Sequence, residues 1–324
     1  MEAWLTAFEG KVHVDSAQFH LRVSETHSAF VHRWVPGARK APARAVVQIV
    51  HGMAEHGARY ARLARALVED GYAVYAQDLP GHGRSVRSDD ELGHVDDHAG
   101  WPQTLVAINT VRSLAERENP GAPFMMLGHS RGSFLLQDYL VEHGQGLAAA
   151  VFSAGSGDMG PLRLIGQGLL TLEALWYGRA HRSVLADALT FRDFNRRFKP
   201  VRTDFDWLSR DAGEVDAYVA DPRCGFRCSC ALWLELMAMG ARMHDAQRLR
   251  RIPKTLPVLL LNGSDDAACR GETGARALER LYRNAGLSDI TLKLYAGGRH
   301  ELFNDLCRDE VTRDLRQWLA LHQG

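Results

Sequence analysis

One stretch, Met125 to Ser133, restricts what this chain can fold into more than any other. The apolar run Pro123 to Leu127 reads as a buried strand, and Phe134 to His143 as a helix, with Leu135, Leu136, Tyr139 and Leu140 recurring near the helical period. Between them Gly128-His129-Ser130-Arg131-Gly132 fits the pattern G-x-S-x-G. A serine on so sharp a turn from strand to helix has strained backbone angles, and a Cβ at Gly128 or Gly132 would crowd the crossing. The turn lifts the Ser130 hydroxyl above the sheet, over the free N–H groups of a helix N-terminus. Ser130 is therefore read as a nucleophile, and an ordinary glycine-rich turn is the bland alternative.

The rest of the chain supplies the sheet that such a turn needs. Alternating stretches between Ala7 and Val35 read as antiparallel edge strands, followed by a Pro- and Gly-rich loop from Pro36 to Pro42. Arg44–Val50, Tyr72–Ala76 and Ala148–Ser153 are further apolar strands, with helices at Tyr60–Val68 and Trp101–Glu118. Strand and helix alternate, which predicts a mostly parallel sheet with helices on both faces. Alternation stops at Gly155. From there to about Lys254 the chain offers helical stretches, Leu162–Trp176 and Cys230–Met243, around a middle laced with Phe191, Phe194, Phe198, Phe205 and Trp207. This reads as a helical cap of residues 155–254 inserted into an α/β core of residues 1–154 and 255–324. Such a cap would wall off the serine, with Trp233, Leu236, Met237, Met239 and Met243 able to line an acyl tunnel; Trp233 and Met237 are the chosen substrate contacts. Alternation resumes with the strand Leu256–Asn262, the helix Arg270–Asn284, the strand Thr291–Tyr295 and a closing helix, Asp309–His322.

Composition excludes several classes of function. In 324 residues Lys plus Arg equals Asp plus Glu at 39 each, so no basic excess argues for nucleic acid. The N-terminus shows no basic and then apolar leader, and no run approaches the roughly 18 apolar residues of a membrane span, so a cytoplasmic location is expected. Five cysteines suit reduced thiols better than a disulfide framework. Cys224, Cys228 and Cys230 cluster, with His244 nearby in sequence, but their spacing matches no paired zinc design. His51 and His56 are not at the i, i+4 spacing of a helical metal site. All are read as packed side chains, with no metal and no cofactor expected.

A serine hydroxyl needs a base to take its proton, and the base a carboxylate to orient it. His300 follows the last strand, and Asp265 or Asp266 the strand before it, each where an open α/β sheet places its sites. The loop after Val50, His51-Gly52-Met53-Ala54-Glu55-His56, is where a second oxyanion donor belongs. Met53 is the candidate through its backbone N–H, paired with that of Arg131.

Taken together, His51-Gly52-Met53-Ala54-Glu55-His56, Asp78-Leu79-Pro80-Gly81-His82-Gly83-Arg84-Ser85, Gly128-His129-Ser130, Gly263-Ser264-Asp265-Asp266 and Gly298-Arg299-His300-Glu301 resemble the monoglyceride lipase and lysophospholipase branch of the α/β-hydrolases, from about Ala45 to the C-terminus. The resemblance selects Asp266, three residues after its glycine, as the orienting carboxylate. Arg131 stands where that branch usually carries Met, placing a charge near the expected pocket. What the resemblance implies is a serine hydrolase acting on esters of small lipid-like molecules; a transient contact of the cap with a membrane surface is left open. A thioesterase, an acyltransferase or a carbon–carbon hydrolase on the same triad, or a scaffold that only binds an apolar ligand, are the alternatives. A serine at position 130 argues against epoxide and haloalkane chemistry, which in this fold uses an aspartate nucleophile.

Overall fold

The computed structural model describes residues 14–37, 42–160 and 163–323. The expected strand residues before Val14, positions 38–41 of the following loop and Leu162 lie outside the described residues. Eight strands form one sheet: β1 (Val14–Arg22), β2 (Ser28–Pro36), β3 (Val46–Val50), β4 (Ala73–Gln77), β5 (Phe124–His129), β6 (Leu147–Ser153), β7 (Val258–Gly263) and β8 (Ile290–Tyr295). Their order is β1-β2-β4-β3-β5-β6-β7-β8. The β1–β2 and β2–β4 pairs are antiparallel and the rest parallel, so the irregular edge and parallel body match the sequence pattern.

The period of two along each strand splits the core into two layers. Val46, Tyr75, Met126 and Leu260 face one side, where α2 (Gly100–Glu118), α3 (Arg131–His143) and later α10 (Gly271–Asn284) pack through Ile108, Leu136, Tyr139 and Leu278. Val47, Val74, Leu127 and Leu261 face the other, covered by α1 (Ala61–Glu69) and α11 (Arg308–Leu321) through Leu67, Val68, Leu315 and Trp318. Strands buried on both faces have no polar face to alternate with, which is why the central ones read as continuous apolar runs. Gly71 ends α1's turn at φ 88°, the left-handed cap expected there.

Between β6 and β7 lie α4 (Arg163–Tyr177), α5 (Val184–Leu189), α6 (Phe191–Phe194), α7 (Ala212–Ala220), α8 (Cys230–Arg242) and α9 (Ala246–Leu249). Leu170, Trp207, Tyr218, Leu232 and Trp233 form a third apolar cluster there, closed underneath by Met53 and Ala54. The short α5, α6, α7 and α9 had no clear periodic signal because each is under three turns. Met239 and Met243, expected at the tunnel, instead join the sheet-face cluster with Leu249 and Ile252. The end of α8 and the stretch after it thus reach the sheet-face core through these side chains.

Candidate active site

Ser130 sits between β5 and α3 with φ 52° and ψ −119°, a left-side conformation that non-glycine residues seldom adopt. Packing holds it there. A Cβ on Gly128 would lie 2.5 Å from the Gly132 carbonyl oxygen, and one on Gly132 would strike the carbonyls of Val50 and His51. The Ser130 N–H donates to the Ser153 carbonyl at 3.0 Å, pinning the turn to β6.

The structure brings together three side chains that the sequence holds far apart. Ser130 Oγ lies 2.8 Å from His300 Nε2. His300 Nδ1 lies 2.9 and 3.0 Å from the two Asp266 oxygens. Asp266 Oδ1 also accepts the N–H groups of Ala268 and Cys269 at 2.9 and 3.0 Å. Asp265 is exposed and bonded by Ser264, so it does not reach the histidine. Burial alone would push the Asp266 carboxyl up, but His300 and the N–H groups hold it below the usual carboxylate range. Burial likewise works against a charged His300; Asp266, then Glu301 and Glu55, outweigh it and raise its pKa above the ordinary value. His129, whose ring lies 5.0 Å from that of His300, is held neutral by burial at about 3.

Met53 lines the same cavity as Ser130, Arg131 and His300, and Gly52 approaches so closely that an added Cβ would lie 3.2 Å from Ser130 Cβ. Arg131 is the first residue of α3, where an N–H has no acceptor within the helix. Its side chain departs from expectation. The guanidinium is 1% exposed, lies 5.6 Å from the Trp101 ring centroid, and has no hydrogen-bond partner on Nε, Nη1 or Nη2 among the described residues. Burial pulls its pKa down to about 10, with Glu235 opposing. So Arg131, though among the cavity-lining residues, keeps its guanidinium buried beside Trp101 rather than exposed to solvent.

That cavity, about 170 Å³, is mostly apolar and is lined by Phe134, Phe191, Phe194, Trp207 and, from α8, Trp233 and Met237. The two chosen contacts on α8 therefore stand at the site; Phe191, Phe194 and Trp207 were seen in the sequence only as aromatic content. Trp207 places its ring 4.9 Å from that of His300. A larger groove of about 1240 Å³ lies elsewhere, between the β1–β2 turn and Arg182, and touches none of these residues.

Sequence reasoning missed a charged clamp behind the histidine. Glu55 accepts the Gly52 N–H at 2.6 Å and the Tyr60 hydroxyl at 2.9 Å. Arg59 donates to Glu55 at 2.9 Å and to both Glu301 oxygens at 2.5 and 2.6 Å. One guanidinium thus joins the Met53 loop to the His300 loop. Burial opposes ionisation of Glu301, yet Arg59 holds it down to about 2, while burial, with Glu301 adding to it, pushes the Glu55 carboxyl up. Two acidic residues beside apolar strand ends, Glu55 and Glu301, were the available signal.

A doubly covered parallel sheet with a serine on a strained turn at the end of a central strand defines the class: the protein is an α/β-hydrolase. More particularly, the family model described as serine aminopeptidase, S33, matches residues 41–307, and the chain belongs to that family. It falls in the monoglyceride lipase-like branch and is an ester hydrolase. It is 28% identical over 305 residues to human monoglyceride lipase, covering 93% of this chain and 89% of that protein. To the monoacylglycerol lipase of Mycolicibacterium smegmatis it is 29% identical over 283 residues, covering 86% and 89%. To a monoglyceride lipase homolog of Monkeypox virus it is 36% identical over 281 residues, covering 85% and 89%. A carboxyl esterase from Bacillus coagulans shares the fold with a TM-score of 0.82 at 24% identity, covering 96% of this chain and 99% of that one.

Proposed function

We infer that the chain hydrolyses carboxylic esters of lipid-like substrates, of monoacylglycerol or lysophospholipid type, through an acyl-enzyme on Ser130. The observation that carries this reading is the hydrogen-bonded run Ser130–His300–Asp266 opening into a narrow apolar cavity. His300 takes the Ser130 proton as Oγ attacks the ester carbonyl. The N–H groups of Met53 and Arg131 receive the oxyanion, each worth about 10²–10³ in rate. Asp266 keeps the proton on Nδ1 and stabilises the imidazolium. The alcohol leaves with the proton from His300, and water repeats the attack on the acyl-enzyme. Phe191, Phe194, Trp233 and Met237 receive the acyl chain, under the insertion of residues 155–254 acting as a cap. The relatives named lipases support a lipid ester as substrate.

Ser130→Ala is the direct test, run against a panel of monoacylglycerols, lysophospholipids and acyl thioesters. The expected result is a loss of about 10⁴-fold or more in ester hydrolysis with an unchanged melting temperature. Full activity in that variant, or failure of a fluorophosphonate to label Ser130, overturns the assignment; faster turnover of thioesters than of oxygen esters would move the reading to a thioesterase.

A further inference from the structure

His56, Asp221 and Cys224 come from two separate stretches of chain, and their Nε2, Oδ and Sγ atoms lie within 4.8 Å of one another. His56 Nε2 is 2.8 Å from Asp221 Oδ2. The groups are held by backbone turns rather than by flexible reach. The other Asp221 oxygen accepts the Arg223 N–H at 2.9 Å, and the Cys224 N–H donates to the Asp221 carbonyl at 2.9 Å. The next N–H, of Gly225, donates to the Ala54 carbonyl at 2.9 Å, which seats this turn on the Met53 loop. All three side chains are half-buried, so an ion can reach them from solvent.

An imidazole nitrogen, a thiolate and a carboxylate are zinc's donor set, and three protein ligands leave a fourth position for water. We propose that His56, Asp221 and Cys224 form a binding site for Zn²⁺ that, when filled, ties the α7–α8 connection to the Met53 loop. The protons balance simply. His56 shifts its ring proton to Nδ1 and offers the Nε2 lone pair, Asp221 is already ionised, and Cys224 releases one proton to solvent for each ion bound. The filled site is neutral: two positive charges against one thiolate and one carboxylate. The thiolate disfavours Mg²⁺ and Ca²⁺, which want oxygen donors. Burial pushes the Cys224 thiol up while Arg59 favours its thiolate, so zinc competes with a proton and binds more weakly as pH falls. The site owes nothing to the catalytic reading.

The test is a titration of the full chain with Co²⁺ and then Zn²⁺. One equivalent of cobalt is expected to give a thiolate-to-cobalt charge-transfer band, bleached by one equivalent of zinc. Cys224→Ser abolishes the band, and Asp221→Asn, which keeps a hydrogen-bond partner for His56, weakens zinc binding by about tenfold or more. Zinc raises the melting temperature of the wild type and not of Cys224→Ser. Fluorophosphonate labelling of Ser130 continues with zinc bound. Absence of the band, or a band that survives in Cys224→Ser, overturns the proposal; the latter would move the ion to Asp266, Cys269 and His300, whose ligand atoms also converge.

Discussion

At the scale of the residue, the chemistry depends on what surrounds His300. Its pKa is raised above the ordinary histidine value by Asp266, Glu301 and Glu55 against the pull of burial. In the proposed mechanism His300 must be neutral to act as base, so the acid limb of kcat/KM is expected at a pH above about 6.5. Glu301→Gln removes one of the anions and frees the Arg59 charge it neutralises. Both changes disfavour the imidazolium, so the acid limb moves to lower pH, and a limb that stays or moves up would refute this account. The serine was legible in the sequence because its glycines leave a local signature. Glu55 and Glu301 stood out only as acidic residues beside apolar strand ends, and nothing in a sequence marks that Arg59 joins them in one buried spot. Arg131 was visible as a departure from the branch pattern, but the direction of its side chain is decided by packing under α8.

At the scale of the element, the parallel strands were readable because burial on both faces leaves only apolar residues, and their ends moved by a residue or two. The insertion was readable as a break in alternation, yet its inner boundary was not, since Met239 and Met243 obey the same helical spacing as Trp233 and Met237. Helix α4 adds a consequence of its own. Leu164, Ile165, Leu172, Leu175, Trp176 and Tyr177 are exposed, with Trp176 at 84% and Leu175 at 75%. An apolar face of this kind, on a helix far too short to span a bilayer, suits a lipid surface. The wild type is expected to co-sediment with phosphatidylcholine vesicles. Leu175→Glu combined with Trp176→Glu should cut that binding severalfold while leaving hydrolysis of a short, soluble aryl ester unchanged; equal binding by the variant would rule α4 out as the contact.

At the scale of the whole molecule, the buried histidines set the response to acid. His51, His82 and His129 lie in the interior, and burial lowers the pKa of each, to about 3 for His51 and His129. The unfolded chain takes up protons at these rings below about 6.5 while the folded chain does not, so each removes up to about 1.4 kcal/mol of stability per pH unit as pH drops. His94, also lowered by burial, adds to them, while Glu55, Glu235 and His300, whose pKa values are pushed up, act in the opposite sense but are fewer. Urea midpoints should therefore decline from pH 6.5 to 5, and a midpoint that holds or climbs would contradict the neutral state assigned to these rings.

Helix α8 is continuous from Cys230 to Arg242, with Trp233 and Met237 at the cavity and Met239 anchored against the sheet. A rod gripped at one end by the sheet cannot swing at the other. The wall it offers to the cavity is a fixed jamb, and any doorway has to be opened by the movable parts of the frame, where Thr190, Phe191 and Phe194 line the cavity from the α5–α6 stretch.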